Sequence, residues 1–219
     1  MNIRRSIIAS MGFALVMNCL PASADVIISA VSISSPQGDF GGALSLVNII
    51  NQSSISAPYT SGVTDFGTYV SGTTHFGLLG NGFTATETNG PQQFTFDLGS
   101  VKSINALAIW NTGFAIGAIN TFALFSDNDD TFANGTTGAL LDATPLAFPG
   151  NPVPAQVFSF EPTATRFVHI NALNTNNPPD LYGLGEVAFS ATSPVPEPAT
   201  LALVAAGIAG IWLAQKRSR

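Results

Sequence analysis

The sequence predicts an all-β fold, a β-sandwich, for the part of the chain between residues 25 and 195. Short apolar stretches rich in β-branched and aromatic residues recur there, and turns of Gly, Pro and Asn separate them. No stretch in this part keeps the 3.6-residue apolar period that an amphipathic helix requires. Seven or eight short strands separated by such turns are typical of a sandwich.

The first half of this region contains one clear strand followed by loops. Residues 26–33 are apolar and β-branched, which predicts a strand, whereas residues 43–50 form an apolar segment whose type the pattern leaves open. Residues 51–82 are rich in Ser, Thr, Gly and Asn. This composition predicts long loops with one or two short strands.

The strand pattern is clearer in the second half. Phe94, Phe96 and Leu98 alternate with polar residues and precede a predicted turn at Gly99-Ser100. The other predicted strands of this half cover residues 103–111, 120–126, 156–160, 166–172 and 185–190.

The N-terminal segment has the pattern of a secretory signal peptide. Two arginines precede an apolar run over residues 7–20, and Ala22 and Ala24 form an A-x-A cleavage site. We expect residues 1–24 to pass through the Sec translocon and to be removed, so that the mature chain starts at Asp25. The single cysteine of the chain lies in this segment, so the mature protein is predicted to contain no disulfide.

The C-terminal segment, residues 193–219, has three parts in a fixed order. The motif Val195-Pro196-Glu197-Pro198 comes first, an apolar run over 199–214 follows, and a basic tail over 215–219 ends the chain. The 16 residues of the apolar run would span about 24 Å as a helix, less than the ~30 Å hydrocarbon core of a bilayer. The basic tail agrees with the rule that Lys and Arg stay on the cytoplasmic side.

This order of motif, apolar helix and basic end resembles the PEP-CTERM sorting signal of Gram-negative bacteria. The resemblance implies recognition by an integral-membrane exosortase, transient anchoring in the inner membrane, removal of the tail, and export to the cell surface or extracellular matrix. Such proteins are associated with bacteria that produce exopolysaccharide and form biofilms. A plain C-terminal membrane anchor is the alternative for this segment.

The charge balance of the mature region excludes some classes of partner. Residues 25–195 contain two bases, Lys102 and Arg166, against twelve acids, a net charge of −10. Nucleic acids and anionic lipids require a basic surface, so neither is an expected partner. About 170 residues form one domain with a core of its own.

The second half also contains five segments in a recognisable order: Phe94-x-Phe-Asp-Leu-Gly, a strand ending in Trp110-Asn111, Phe122-Ala-Leu-Phe-Ser-Asp, Ala164-Thr-Arg-Phe-Val-x-Ile and Gly185-Glu186-Val-Ala-Phe. Together they resemble the discoidin or coagulation-factor type C family. The resemblance implies a galactose-binding-like jelly roll of eight strands over residues 25–192. It also implies that loops at one end of the barrel bind a ligand, with a structural calcium ion nearby.

In that family the ion lies between an early loop and the last strand. The resemblance implies that Asn51 and Glu186 are the corresponding residues of this chain. The family more often has an Asp-Gly in the segment that here reads Asn48-Ile-Ile-Asn-Gln-Ser, and the amide of Asn51 brings no charge to the ion. Glu186 as an ordinary solvated strand residue is the alternative. Tyr59, Tyr69 and Tyr182 are the predicted ligand-binding residues, because aromatic rings in loops stack on the C–H faces of sugars. Alternatively, these three rings cover the hydrophobic core and contact no ligand.

Signatures of catalysis are absent from the sequence of the mature region. It has no cysteine nucleophile, no G-x-S-x-G elbow and no H-E-x-x-H zinc motif. The predicted function is therefore non-catalytic binding of extracellular polysaccharide by an exported protein. A structural matrix protein without a defined pocket is one alternative. A glycan-active enzyme is another, since two carboxylates across a cleft suffice for glycoside hydrolysis.

Overall fold

The computed structural model describes residues 23–38, 41–77, 81–85, 91–130, 138–176 and 181–194. Most of the predicted signal peptide and nearly all of the predicted sorting signal, including the apolar run 199–214, lie outside the described residues. Within the ranges given above, no helix is long and apolar enough to cross a membrane. Residues 23–193 form one compact unit.

In the described residues the chain forms ten strands, one short α-helix and two 3-10 helices. The helix α1 covers Phe66–Gly72, and the 3-10 helices cover Gly42–Leu44 and Leu46–Ile49. The strands are β1 Ser23–Ile28, β2 Ser32–Ser34, β3 Thr74–His75, β4 Gly82–Ala85, β5 Gln92–Asn111, β6 Ile119–Asp127, β7 Gly138–Pro145, β8 Val153–Pro154, β9 Gln156–Thr175 and β10 Leu181–Pro194.

Eight strands form one continuous sheet that folds into a sandwich. Its order is β1-β10-β5-β9-β6-β7, with β2 also on β5 and β4 also on β10. The strands β5 and β9 are 20 residues long, and different halves of each pair with different neighbours. Residues 106–109 of β5 pair with the start of β9, whereas residues 92–97 pair with its second half. The predicted all-β sandwich of about eight strands is confirmed.

The predicted turn at Gly99-Ser100 is wrong, because β5 continues through it. The register with β9 shifts between Asp97 and Lys102, which marks a bulge in the strand. Gly99 has a φ of 78°, and the Asp97 carboxylate accepts a hydrogen bond from its N–H at 2.7 Å. A bulge absorbs extra residues while the ladder resumes beyond it, so the strand bends without ending.

The helix α1 lies in the region predicted to be loops. Its N-cap is Asp65, whose carboxylate accepts a hydrogen bond from the N–H of Thr68 at 2.8 Å. An acidic or hydroxyl side chain at this position satisfies a backbone donor that the first turn leaves free. With seven residues, α1 is too short to show a helical period in the sequence.

Two groups of apolar side chains fill the interior. The larger group lies between the two layers and includes Phe94, Phe96, Phe122 and Phe189. The smaller group, called the tyrosine cluster below, consists of Ile27, Tyr59, Phe66, Tyr69, Ala106, Ala108, Trp110 and Ala188. It joins α1 and the preceding loop to β5 and β10.

Candidate functional site

Glu186 is a fully buried carboxylate on β10, the strand between β1 and β5. It lies on β10 opposite Trp110 of β5, next to a register shift, and its relative exposure is 0%. Its Oε2 accepts a hydrogen bond from the N–H of Gln52 at 3.0 Å. Among the described residues, its Oε1 has no hydrogen-bond partner. Burying a charge costs much free energy unless it is paired, and burial raises the pKa of Glu186 to about 9 although the Gln52 bond opposes this.

The loop that meets Glu186 is fixed in an uncommon backbone conformation. Gln52 and Ser54 have φ angles of 64° and 63°, in the left-handed region that residues other than glycine rarely adopt. The Gln52 side chain accepts a hydrogen bond from the N–H of Tyr59 at 2.8 Å and donates one to the Tyr59 carbonyl at 3.2 Å. Gln52 adopts this conformation although it is not a glycine, and its side chain anchors the loop.

The predicted calcium pair, Asn51 and Glu186, is brought to neighbouring positions. Glu186 contacts the backbone of Gln52, the residue after Asn51. The Asn51 Oδ1 accepts hydrogen bonds from the N–H of Ser53 at 2.9 Å and from the Ser53 hydroxyl. No group of three or more His, Cys, Asp or Glu side chains suited to a metal occurs in the described part of the chain. An ion here would be held by one carboxylate and by neutral oxygens, which Ca²⁺ accepts.

Two of the predicted ligand-binding tyrosines lie in the tyrosine cluster. The rings of Tyr59 and Tyr69 are 5.0 Å apart at 70°, and Tyr69 is 6.2 Å from the ring of Trp110. The Tyr59 hydroxyl accepts a hydrogen bond from Ser29 at 2.8 Å, and the Tyr69 hydroxyl donates one to the Ala57 carbonyl. Burial, and then the nearby Glu186, raise the pKa of both tyrosines, that of Tyr69 to about 12.

The burial of the predicted rings does not agree with sugar stacking. Tyr59, Tyr69 and Tyr182 are 7%, 8% and 6% exposed. A ring this deeply packed offers no open face to a sugar. Tyr182 belongs to the larger core, so all three rings hold the fold together.

An apolar pocket of about 200 Å³ lies beside Tyr182 and is called the loop-end pocket below. It is lined by Leu44, Phe83, Phe114, Ile116 and Leu181. The rings of Phe83 and Phe114 are 6.4 Å apart and tilted by 58°, and Ile116 is 56% exposed. Successive residues of a strand point to opposite faces, so Leu181 lines this pocket while its neighbour Tyr182 packs into the core.

Glycine makes room for the buried ring of this pocket. A Cβ atom on Gly183 would lie 2.2 Å from the ring of Phe83. Gly117, with a φ of 81°, also lies against Phe83. The sequence analysis did not identify Phe83 or Phe114 as candidate site residues. The signal that could have indicated Phe114 is an aromatic residue inside a glycine-containing connection, as in Gly113-Phe114.

Three solved structures illustrate what the sandwich is similar to. The chitosan-binding module 1 of a chitosanase/glucanase from Paenibacillus sp. IK-5 is 12% identical, with 74% of this chain and 95% of that chain covered and a TM-score of 0.47. The family 32 CBM of Clostridium perfringens NanJ, in complex with galactose, is 14% identical, covering 77% and 99%, with a TM-score of 0.46. The CBM32 of AlyQ, in complex with 4,5-unsaturated mannuronic acid, is 18% identical, covering 74% and 96%, with a TM-score of 0.45.

At these identities and TM-scores, the fold assignment rests on the strand order and the two cores described above. No curated protein matches the chain. The family model described as the PEP-CTERM protein-sorting motif matches residues 194–218. The resemblance seen in Val195-Pro196-Glu197-Pro198 is thereby confirmed, and the end of this chain is a PEP-CTERM sorting motif.

Proposed function

We propose that this protein is an exported, non-catalytic module that binds extracellular polysaccharide through the loop-end pocket. The observation that carries the proposal is the half-buried ring of Phe114 in a small apolar pocket, backed by the buried ring of Phe83, on a chain whose end matches a sorting motif. Sugars present flat C–H faces, and aromatic rings bind such faces by stacking. The volume of about 200 Å³ is below the ~300–1,000 Å³ of pockets for drug-sized ligands, so it suits one sugar ring.

The chemistry of the pocket supports binding without catalysis. None of its five described lining residues titrates, whereas glycoside hydrolysis requires an acid and a base or nucleophile across the bond. The affinity should be weak, in the range of about 1 mM to 1 μM. Sugar hydroxyls exchange water for protein at little net gain, and a small pocket buries few apolar atoms.

Phe114→Ala is expected to weaken binding to the exopolysaccharide of the native host by about 2- to 12-fold, because one aromatic contact contributes about 0.5–1.5 kcal/mol. Phe76→Ala is the matched control, since Phe76 is 59% exposed and does not line the pocket. Affinity would be measured by quantitative pull-down with purified exopolysaccharide, and folding by circular dichroism.

Equal retention of Phe114→Ala and the wild type would contradict the stacking site. If folded wild-type protein is not retained at low or high salt, the binding proposal fails and the alternative of a structural matrix protein without a defined pocket stands.

The proposed route of export begins with the Sec translocon and ends with an exosortase. The signal peptide is removed after Ala24, the tail anchors transiently in the inner membrane, and cleavage near the Pro196-Glu197-Pro198 motif sends the domain to the cell surface or matrix. Intact-mass measurement of the exported pool is expected to show termini near Asp25 and near this motif. Exported protein that still carries residues 201–219 would indicate a permanent anchor.

We also propose that Ca²⁺ is bound between Glu186 and the loop that starts at Asn51. The support is a buried carboxylate with one unpartnered oxygen among the described residues. Among the described residues the one ion pair joins Arg166 to Asp97 and does not include Glu186. The ion would neutralise the Glu186 charge and tie the loop to β10, so its role is structural.

A further inference from the structure

A second concave surface lies at the open side of the sandwich, between two strand edges. It has a volume of about 520 Å³, and we call it the lateral groove. Its described lining consists of Ala139 and Leu140 from β7, with Ser159, Phe160, Glu161 and Thr163 from β9. The strand β7 ends the order of the sheet, and residues 156–159 of β9 pair with β5 on one side.

The lateral groove combines apolar and polar groups in a way that suits a sugar chain. Phe160 and Leu140 are half-buried and pack against the larger core, so they present apolar surface at the floor. Ser159 and Glu161 are exposed beside them. Backbone groups on the outer edge of a strand can also bond with an incoming ligand. The groove is more than twice as large as the loop-end pocket, so it suits several linked rings.

The charge of the lateral groove selects among sugar chains. Glu161 is its one described ionisable residue, and neither Lys102 nor Arg166 lines it. The guanidinium of Arg166 is engaged with Asp97 through two hydrogen bonds of 2.9 Å. The mature region has two bases against twelve acids. An acidic polymer is therefore repelled, whereas a protonated amine can form a charge-assisted hydrogen bond with Glu161.

We propose that the lateral groove is a second glycan-binding site, which takes a polysaccharide with free amino groups such as a glucosamine polymer. The Phe160 ring contacts the apolar face of a sugar, and the Glu161 carboxylate pairs with an amine of the chain. The inference extends the proposed function to a site that shares no lining residue with the loop-end pocket.

The test uses the protein as its host exports it, with a glucosamine hexamer and an N-acetylglucosamine hexamer as probes, at a pH where the free amines are protonated. We expect tighter binding of the glucosamine hexamer, and weaker binding at high salt. Glu161→Gln should lower its affinity by up to about fivefold, since an exposed ion pair contributes up to about 1 kcal/mol. Asp142→Asn, which removes an exposed acid of β7 outside the groove, should leave it within about 1.5-fold.

A second pair of variants tests the location directly. Ala139 and Ala143 are both exposed on β7, but only Ala139 lines the lateral groove. Ala139→Lys places a bulky cation in the groove and should reduce binding of the glucosamine hexamer at least tenfold, whereas Ala143→Lys should change it much less.

Equal effects within either pair of variants, or equal binding of the two hexamers, would overturn the inference. If the glucosamine hexamer does not bind while Phe114→Ala weakens binding to the exopolysaccharide, the lateral groove is not a glycan-binding site and the proposed function is unaffected. If the hexamer binds as expected while Phe114→Ala has no effect, the loop-end pocket is not the stacking site, whereas the lateral groove remains a glycan-binding site.

Discussion

Ca²⁺ is expected to raise the melting temperature of the wild-type protein by several degrees, and Glu186→Gln is expected to abolish this response. Ligand at about a hundred times its dissociation constant adds roughly 2.7 kcal/mol to the free energy of unfolding, and each kcal/mol shifts the melting temperature of a domain of this size by about 2–4 °C. The response depends on Glu186 because its buried Oε1 is the oxygen without a partner in the described structure.

When calcium is removed with a chelator, the wild type and Glu186→Gln are expected to have similar melting temperatures at pH 7. The pKa of Glu186 is raised to about 9, so without the ion the carboxyl is protonated and neutral, as the Gln amide is. The amide oxygen can still accept the hydrogen bond from the N–H of Gln52. Glu161→Gln is the control, because Glu161 is exposed and should keep the full calcium response. Identical wild-type melting curves in the presence of calcium and of chelator would show that this site does not bind Ca²⁺.

Trp110→Ala is expected to lower the free energy of unfolding by about 3–5 kcal/mol, the usual cost of truncating a large buried aromatic residue. Trp110 has no exposed surface, packs edge to face with Tyr69, and donates a hydrogen bond from its indole N–H to the Thr73 carbonyl at 3.2 Å. Its loss leaves a cavity and detaches the end of α1 from β5.

Urea unfolding followed by circular dichroism would measure this loss. Val157→Ala serves as the control, because Val157 is 45% exposed and its truncation should cost less than about 0.5 kcal/mol. The loss of stability for Trp110→Phe should lie between those of Val157→Ala and Trp110→Ala, because the variant keeps a ring in the tyrosine cluster but cannot donate a hydrogen bond to the Thr73 carbonyl. A loss below about 1 kcal/mol for Trp110→Ala would show that the tyrosine cluster is not needed to hold α1.

The sandwich could be predicted because its inward-facing residues alternate along the strands. The pattern of Phe94, Phe96 and Leu98 is visible in the sequence, and all three side chains are buried. The continuity of β5 could not be predicted in the same way. A glycine such as Gly99 serves a turn or a bulge equally well, and only the partner strand β9 decides which one forms.

The sites were harder to predict than the fold because burial depends on contacts distant in sequence. Family resemblance pointed to Glu186, but its burial results from the loop around Gln52, 134 positions earlier in the chain. Likewise, a loop aromatic can face inward or outward without any change in local pattern. Tyr59 packs against Tyr69, whereas Phe114 lines a pocket. The glycine before Phe114 marks a connection, but it does not determine which way the ring faces.

The pairing of the first and last strands determines when the domain can become complete. Strand β1 lies next to β10 at one edge of the sheet, so the two ends of the domain must meet before the sheet closes. Pairing of segments so distant in the chain is slow, because the loop-closure entropy must be overcome first. In the proposed export from the N-terminus, β10 emerges just before the sorting motif at 194–218. The sheet can therefore be completed only once almost the whole domain has been translocated, shortly before the sorting motif follows.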